Sequence, residues 1–370
     1  MRGYVASHLF GLNRSDIMCR RMVLKVISTG IAAAVALCLA SGCTKQERVR
    51  YSKTYLEFFD TVTQIIGYEE NEEAFSQNCE EIYALLEEYH QLTDIYHNYE
   101  GLNNVRTINL NAGIEPVKVD EKLLDLLEFS KEMCSATNGM CNIAMGSVLS
   151  IWHKYREQGI SDPENAKLPP MENLIAAAEH CSIDDLIIDR EAGTAYLNDP
   201  EMSLDLGAAA KGYAVERAAE LLMSRGVTGG YSINIGGNVR TIGTKSNTSD
   251  WAAGIQNPDT DSEQPYIVRV KLNGMALVTS GNYQRYYEVN GVRYHHIIDP
   301  NTLMPVNYFD SVSILCEDSG LADALSTALF NIPVEAGKRL LSEIGGVEAI
   351  WVYQDGSYDC TEGFAELVID

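Results

Sequence analysis

Basic side chains are scarce in this chain: 28 lysines and arginines stand against 52 aspartates and glutamates in 370 residues, a formal net charge of −24. A protein that grips a nucleic-acid backbone needs a basic stripe to displace counterions, and none is present, so that class of partner is excluded. There are nine cysteines, yet no two are spaced CxxC, which removes zinc ribbons and thioredoxin-type redox motifs. Internal repeats and low-complexity linkers are also absent, and no GxGxxG follows a strand to support a dinucleotide fold. Hydrophobic residues make up 46% and charged residues 22%, an ordinary globular mix. This length can bury a sizeable core, as one large domain or two intertwined ones.

One long apolar run is present, VLKVISTGIAAAVALCLASG over 23–42, preceded by Arg20 and Arg21. A basic n-region before an apolar h-region reads as a secretory signal. Its end, Leu39-Ala40-Ser41-Gly42-Cys43, resembles a bacterial lipobox, so Cys43 is the expected lipidation site and residues 43–52 the tether after it. An uncleaved membrane anchor is the alternative. Met18 or Met22 opens a more usual n-region, so residues 1–17 read as an upstream start artefact. The expected location is the extracytoplasmic face of the bacterial cytoplasmic membrane, through a lipid anchor. Residues 1–42 carry five basic side chains against one acidic, so the mature body is more acidic still and should stand off anionic headgroups. With Cys19 and Cys38 in the signal and Cys43 lipidated, six cysteines remain, read as buried free thiols with two bridges as the alternative.

Along 53–370 the pattern predicts a strand from Tyr51 to Ile66, helices over Asn71–His90 and Leu123–Met133, a long loop over Asp94–Gly113, and a hairpin over Ile187–Leu197. A helix over Ala208–Arg225 ends at Gly226. Strands follow at Tyr231–Ile235, Val239–Ile242, Tyr266–Leu272, Ala276–Thr279, Tyr286–Val289, Val312–Leu315 and Glu348–Tyr353, with helices at Leu321–Phe330 and Val334–Ile344. Strands and helices alternate without a βαβ beat, which predicts an α+β fold with mixed sheets and flanking helices.

Three stretches are dense in chemistry. Asp205-Leu206-Gly207-Ala208-Ala209-Ala210-Lys211 opens a helix whose free N–H groups and dipole suit a phosphate, with small side chains that leave room; a snorkelling Lys211 is the bland alternative. In His295-His296-Ile297-Ile298-Asp299-Pro300 the two imidazoles alternate in direction, so at most one faces a site, where it could serve as general base. Asp323 and Thr327 lie one helical turn apart in an Ala-rich setting, a hard-oxygen pair suited to Mg²⁺. Gly236-Gly237 could mark a phosphate loop or a glycine bulge that lets two backbones approach.

Together DLGAAAKGYAVERAAELL, GVTGGYSINIGGNVRTIG, TSGNYQRYYEVNGVRYHHIIDPNTLMP and ADALSTALF, with FFDTVTQI and TNGMCNIAMGSVLSIW upstream, closely resemble the FAD:protein FMN transferase (ApbE-type) family over roughly Tyr55 to Tyr353. The resemblance implies a T-fold-related flavin transferase architecture over 53–370, in two intertwined subdomains. It also implies a Mg²⁺-dependent lipoprotein that cleaves the FAD pyrophosphate, attaches FMN through a phosphoester to a Thr or Ser hydroxyl, and releases AMP. Its partners would be FAD and flavin-carrier domains of membrane redox complexes or extracellular electron-transfer proteins. Residue by residue, Asp205 and Lys211 match FAD-contacting positions. Ala208 (through its carbonyl), Asp323, Ser326 and Thr327 match metal-binding ones. His296 matches the proposed base, with Asp323 beside it in the catalytic set and Ile297 lining the flavin site. Tyr96, Thr137, Asn138 and Gly139 align with residues that hold the flavin, and Phe59 replaces a frequent Met. The chain departs from the family at Asp60 for Gly, at Cys141-Asn142-Ile143-Ala144 for Phe-Asp-Ile-Thr, and at Leu303 for Gly. An FAD-binding lipoprotein, or one that hydrolyses FAD to FMN and AMP, is the alternative.

Overall fold

Val49–Glu69 folds back on itself where one strand is expected. In the computed structural model, which describes residues 48–245, 249–259 and 262–369, β1 (Val49–Tyr55) and β2 (Thr63–Glu69) pair antiparallel. The turn between them has no glycine or proline to announce it. Phe59 and Asp60 carry it in the left-handed region, at φ 52° and 51°, while Phe58 is buried beneath. Such a conformation is unfavourable for phenylalanine, so the apolar pattern gives no sign of a break. Val49–Ser52, expected as tether, therefore pair in the sheet. The signal segment and Cys43 lie outside the described residues.

The remaining strands are β3 (Val117–Lys118), β4 (Leu186–Asp189), β5 (Thr194–Leu197), β6 (Gly230–Ile235), β7 (Asn238–Ile242), β8 (Ala252–Gln256), β9 (Tyr266–Lys271), β10 (Ala276–Gly281), β11 (Tyr286–Val289), β12 (Val292–His295), β13 (Ser311–Cys316), β14 (Glu348–Val352) and β15 (Tyr358–Cys360). The helices are α1 (Glu72–Thr93), α2 (Val105–Leu110), α3 (Glu121–Ala136), α4 (Gly146–Ser161), α5 (Met171–Ala178), α6 (Ala210–Ser224), α7 (Ser319–Phe330), α8 (Val334–Ile344) and α9 (Glu362–Leu367). The fold is α+β, as expected, and every named strand pair is antiparallel. Part of the Asn-rich tract expected as loop is α2, started by a reciprocal capping box between Asn104 and Thr107.

An eight-stranded sheet, ordered β1-β2-β6-β7-β10-β13-β14-β15, carries the core. Side chains alternate across it, as a strand period of two requires. Ala276, Val278, Ile314, Cys316, Ala349 and Trp351 pack with the buried side of α7 and α8. Their neighbours Leu277, Leu315, Ile350 and Val352 pack instead with Trp251, Val268, Val270 and Phe364. Both faces are thus covered, and β13 is buried throughout.

Gly236-Gly237 is a two-residue hairpin turn. Ile235 pairs with Asn238, and both glycines have positive φ, 55° and 95°, as a tight turn of this hand demands. The glycines also let two backbones approach, since a Cβ at Gly236 would lie 2.6 Å from Thr61 Oγ1. All six described cysteines are free thiols.

Candidate active site

The centre forms where the first turn of α6 crosses α7. Gly212 makes the crossing close, since a Cβ there would lie inside van der Waals contact of Asp323 Cβ and the Ser319 carbonyl. Behind it, Glu216 of α6 holds Arg240 of β7 through two buried contacts, at 2.9 and 3.2 Å, and accepts from the Ser319 main-chain N–H at 2.8 Å. That ion pair fixes both helices to the sheet.

Asp323 is buried and reaches α6 directly. Its Oδ2 accepts from Gly212 N at 2.8 Å and lies 3.7 Å from Lys211 Nζ. Burial pushes its carboxyl pKa up, against the pull of Lys211 and the Gly212 amide. Both contacts fall on Oδ2. No group of three or more His, Cys, Asp or Glu among the described residues could hold a metal. A metal here would draw on the mixed set of the Asp323 carboxylate, the half-buried Thr327 hydroxyl one turn on, and the Ala208 carbonyl. Ala208 packs with Cys141, Ala324 and Ala328, which places it against α7. These are hard oxygens and fit Mg²⁺. The Ser326 hydroxyl is already engaged: it donates to the Asp323 carbonyl at 2.9 Å and lies 2.8 Å from Ser280 Oγ of β10. Ser326 therefore supports the Asp323 turn from behind.

The β11–β12 hairpin supplies the imidazoles. His295 points inward, with Nε2 on the Val306 carbonyl at 2.7 Å and Nδ1 accepting from Ile297 N, and its ring lies edge-on to Phe330. His296 points the other way. Its main-chain N–H donates to the Arg285 carbonyl at 3.1 Å, and its Nδ1 lies 3.2 Å from the same oxygen. Nδ1 is then the protonated nitrogen and Nε2 keeps the lone pair. Burial, then the charges of Arg285, His295, Arg156 and Lys211, hold the His296 pKa down to about 3. Ile297, expected on the flavin wall, is buried against the α7 core and does not line an open surface.

Around this centre, Asp205 Oδ1 accepts from Gly207 N at 2.9 Å, and Lys211 Nζ donates to the Gly207 carbonyl at 3.0 Å. The Thr137 hydroxyl is buried and bonds the Met133 carbonyl and the Cys141 amide, so it shapes the loop in which Asn138 and Gly139 have positive φ. Phe59 N donates to His90 Nδ1 at 3.3 Å, and Arg285 Nη2 reaches the Asp60 carbonyl at 3.4 Å, which ties that turn to the hairpin. Asn142, in the Asp position of the family motif, bonds the Cys181 carbonyl and the Ala144 amide. Leu303 adopts φ 60°, a glycine-like conformation, and its carbonyl accepts from Trp152 Nε1.

Three residues here escape the sequence reading: His153, Arg156 and Arg285. The first two sit three apart on α4, which no expectation places as a helix, and Arg285 is masked by its place in a hairpin. The signal that could have found the first pair is the i, i+4 spacing of buried Val148 and Trp152, which marks the helix that carries them.

The ApbE family model matches residues 59–351. The FAD:protein FMN transferase of Klebsiella pneumoniae is 33% identical over 73% of this chain and 80% of its own length. That of Treponema pallidum is 30% identical over 90% of this chain and 92% of its own length. The crystal structure of the ApbE protein from Thermotoga maritima matches with a TM-score of 0.76 at 27% identity, covering 87% of this chain and 100% of that one. The match runs from the strained Phe59 turn through α6, the imidazole hairpin and α7 to β14, and by it this chain belongs to the ApbE family.

Proposed function

We propose that this chain is an FAD:protein FMN transferase, which moves FMN from FAD to a Thr or Ser hydroxyl of an acceptor protein and releases AMP. The observation that carries this reading is the meeting of Asp323, Lys211 and the α6 N-terminus within charge reach of His296. In a body of net charge −24 this is where a diphosphate finds cations and main-chain donors.

The acceptor hydroxyl attacks the FMN phosphorus as the bond to the AMP phosphate breaks, and its proton passes to His296 Nε2. The His296 lone pair is oriented by the Nδ1–H···Arg285 bond. Its pKa of about 3 is set by burial and by Arg285, His295, Arg156 and Lys211; phosphate charge beside it would raise it toward a range useful to a base. Lys211, at the positive end of the α6 dipole, takes up charge on the leaving phosphate. Mg²⁺ bound at Asp323, Thr327 and the Ala208 carbonyl would supply further charge neutralisation across the diphosphate. Asp205, Tyr96, Phe59 and the Thr137–Gly139 loop would hold the flavin end. Attachment through lipid on Cys43, at the extracytoplasmic membrane face, completes the reading and rests on the sequence alone.

The test uses the full-length protein with FAD, Mg²⁺ and a flavin-carrier domain, and follows the carrier by mass. An FMN increment with equimolar AMP is expected. Free FMN and AMP without an increment would replace transfer by hydrolysis, and tight FAD binding without turnover would leave only a flavin-binding protein.

A further inference from the structure

Tyr96, His153 and Asp205 come from three separate parts of the chain: the loop after α1, the middle of α4, and the lead into α6. The structure brings them into one line. Tyr96 Oη lies 3.3 Å from His153 Nδ1, and His153 Nε2 lies 3.9 Å from Asp205 Oδ2. The two ends differ in freedom. Asp205 is fixed by its Oδ1 contact to Gly207 N and by its own N–H on the Ile143 carbonyl at 2.8 Å. Tyr96 is 55% exposed, and its main-chain N–H bonds the Asp94 carboxylate of its own loop. Its hydroxyl is thus the tie between an open aromatic face and the rest of the site.

A neutral imidazole has one donor and one acceptor; here the Tyr96 contact is a hydrogen bond, and the Asp205 side, at 3.9 Å, is a charge contact. Nε2–H faces the Asp205 carboxylate, and Nδ1 accepts from the Tyr96 hydroxyl. Burial favours that neutral form of His153, with Arg156 and Arg285 acting in the same direction against Asp205. We propose that His153 is a positioning residue: it latches the exposed ring of Tyr96 to the Asp205 loop and so holds a flat stacking platform for the isoalloxazine of FAD. The latch rests on the transferase reading, which places FAD at this site. Stacking depends on ring angle, and a tyrosine freed from its tie spends rotamer entropy on each binding event.

The test is equilibrium FAD binding to the full-length protein, read by flavin fluorescence quenching, with thermal unfolding alongside. His153→Leu keeps bulk but neither donates nor accepts, and about fivefold weaker binding is expected, the size of one lost hydrogen bond. Tyr96→Phe, a surface change that leaves the core alone, should weaken FAD by a similar factor. In the Tyr96→Phe background His153→Leu should add little, because the two act through one contact. His153→Gln, whose amide can both accept and donate, should recover most of the loss. Additive effects in the double variant, or unchanged affinity in Tyr96→Phe, would overturn the latch and leave His153 a packing residue. A wild-type protein that fails to quench FAD at all would instead sink the transferase reading, and the latch with it.

Discussion

Asp323 Oδ2 accepts a hydrogen bond from Gly212 N at 2.8 Å. Gly212 is the third residue of α6, and the residue before that helix, Ala209, makes no side-chain cap. A carboxylate from another helix therefore does what Ser, Thr, Asp or Asn usually does locally, satisfying an open donor at the positive end of the dipole. One group both completes α6 and forms the candidate centre.

Asp323→Asn separates these roles. An amide oxygen can still accept from Gly212, and burial already disfavours the charge, so the melting temperature should hold or rise. FMN transfer should fall about 100-fold or more, the scale of losing a group that stabilises transition-state charge. Transfer near the wild-type rate in a folded Asp323→Asn protein would remove Asp323 from the chemistry.

Gly212→Ala should damage both at once. The added methyl meets Asp323 Cβ and the Ser319 carbonyl, so α6 and α7 must part. A loss of about 1–3 kcal/mol in denaturant unfolding is expected, as for other overpacked contacts. Weaker FAD binding should accompany it.

Glu216→Ala should be worse for stability and less specific for chemistry. It strands the buried Arg240 guanidinium and leaves the Ser319 N–H without its acceptor. Breaking one side of such a pair costs about 3–5 kcal/mol. Glu216→Gln, which keeps one acceptor oxygen for Arg240 Nε and Ser319 N, should lose less.

The pH dependence should show His296 already neutral. Its pKa is held at about 3 by burial, then by Arg285, with His295, Arg156 and Lys211 acting in the same direction. Because kcat/KM reports the free enzyme, its acid limb should break well below 6.5. Stability carries the matching sign: the unfolded imidazole takes a proton near pH 6.5 that the folded one refuses, so the fold weakens as pH falls from there. In His296→Gln the stability–pH slope between about 6.5 and 4 should be shallower than in wild type. A kcat/KM break near 6.5 that vanishes in His296→Gln would contradict the assignment.

Much of this was legible locally. The hairpin over Ile187–Leu197 and the helices beginning near Asn71 and ending at Gly226 follow from caps, turns and period. What the chain hides is what depends on distant partners. Phe59 and Asp60 turn without glycine or proline, with Phe58 buried beneath and Arg285 reaching the Asp60 carbonyl. Ile297 looks like a pocket residue beside His296, yet just past the end of β12 it is buried in the core beneath α7. Asp323 was singled out as a buried carboxylate in need of a cation, but its use as a cap for α6 requires knowing which helix crosses it.

The borrowed cap also sets an order of events during synthesis. A nascent chain that has emerged only as far as β12 owns α6, Lys211 and His295, but the first turn of α6 still has open donors and no acid to meet them. Asp323 follows with α7, and its docking closes a contact to Gly212 in the same movement that finishes the helix. A copy cut between β12 and α7 would keep Lys211 and lose the acid that caps its helix, so the helix and the centre stand or fall together.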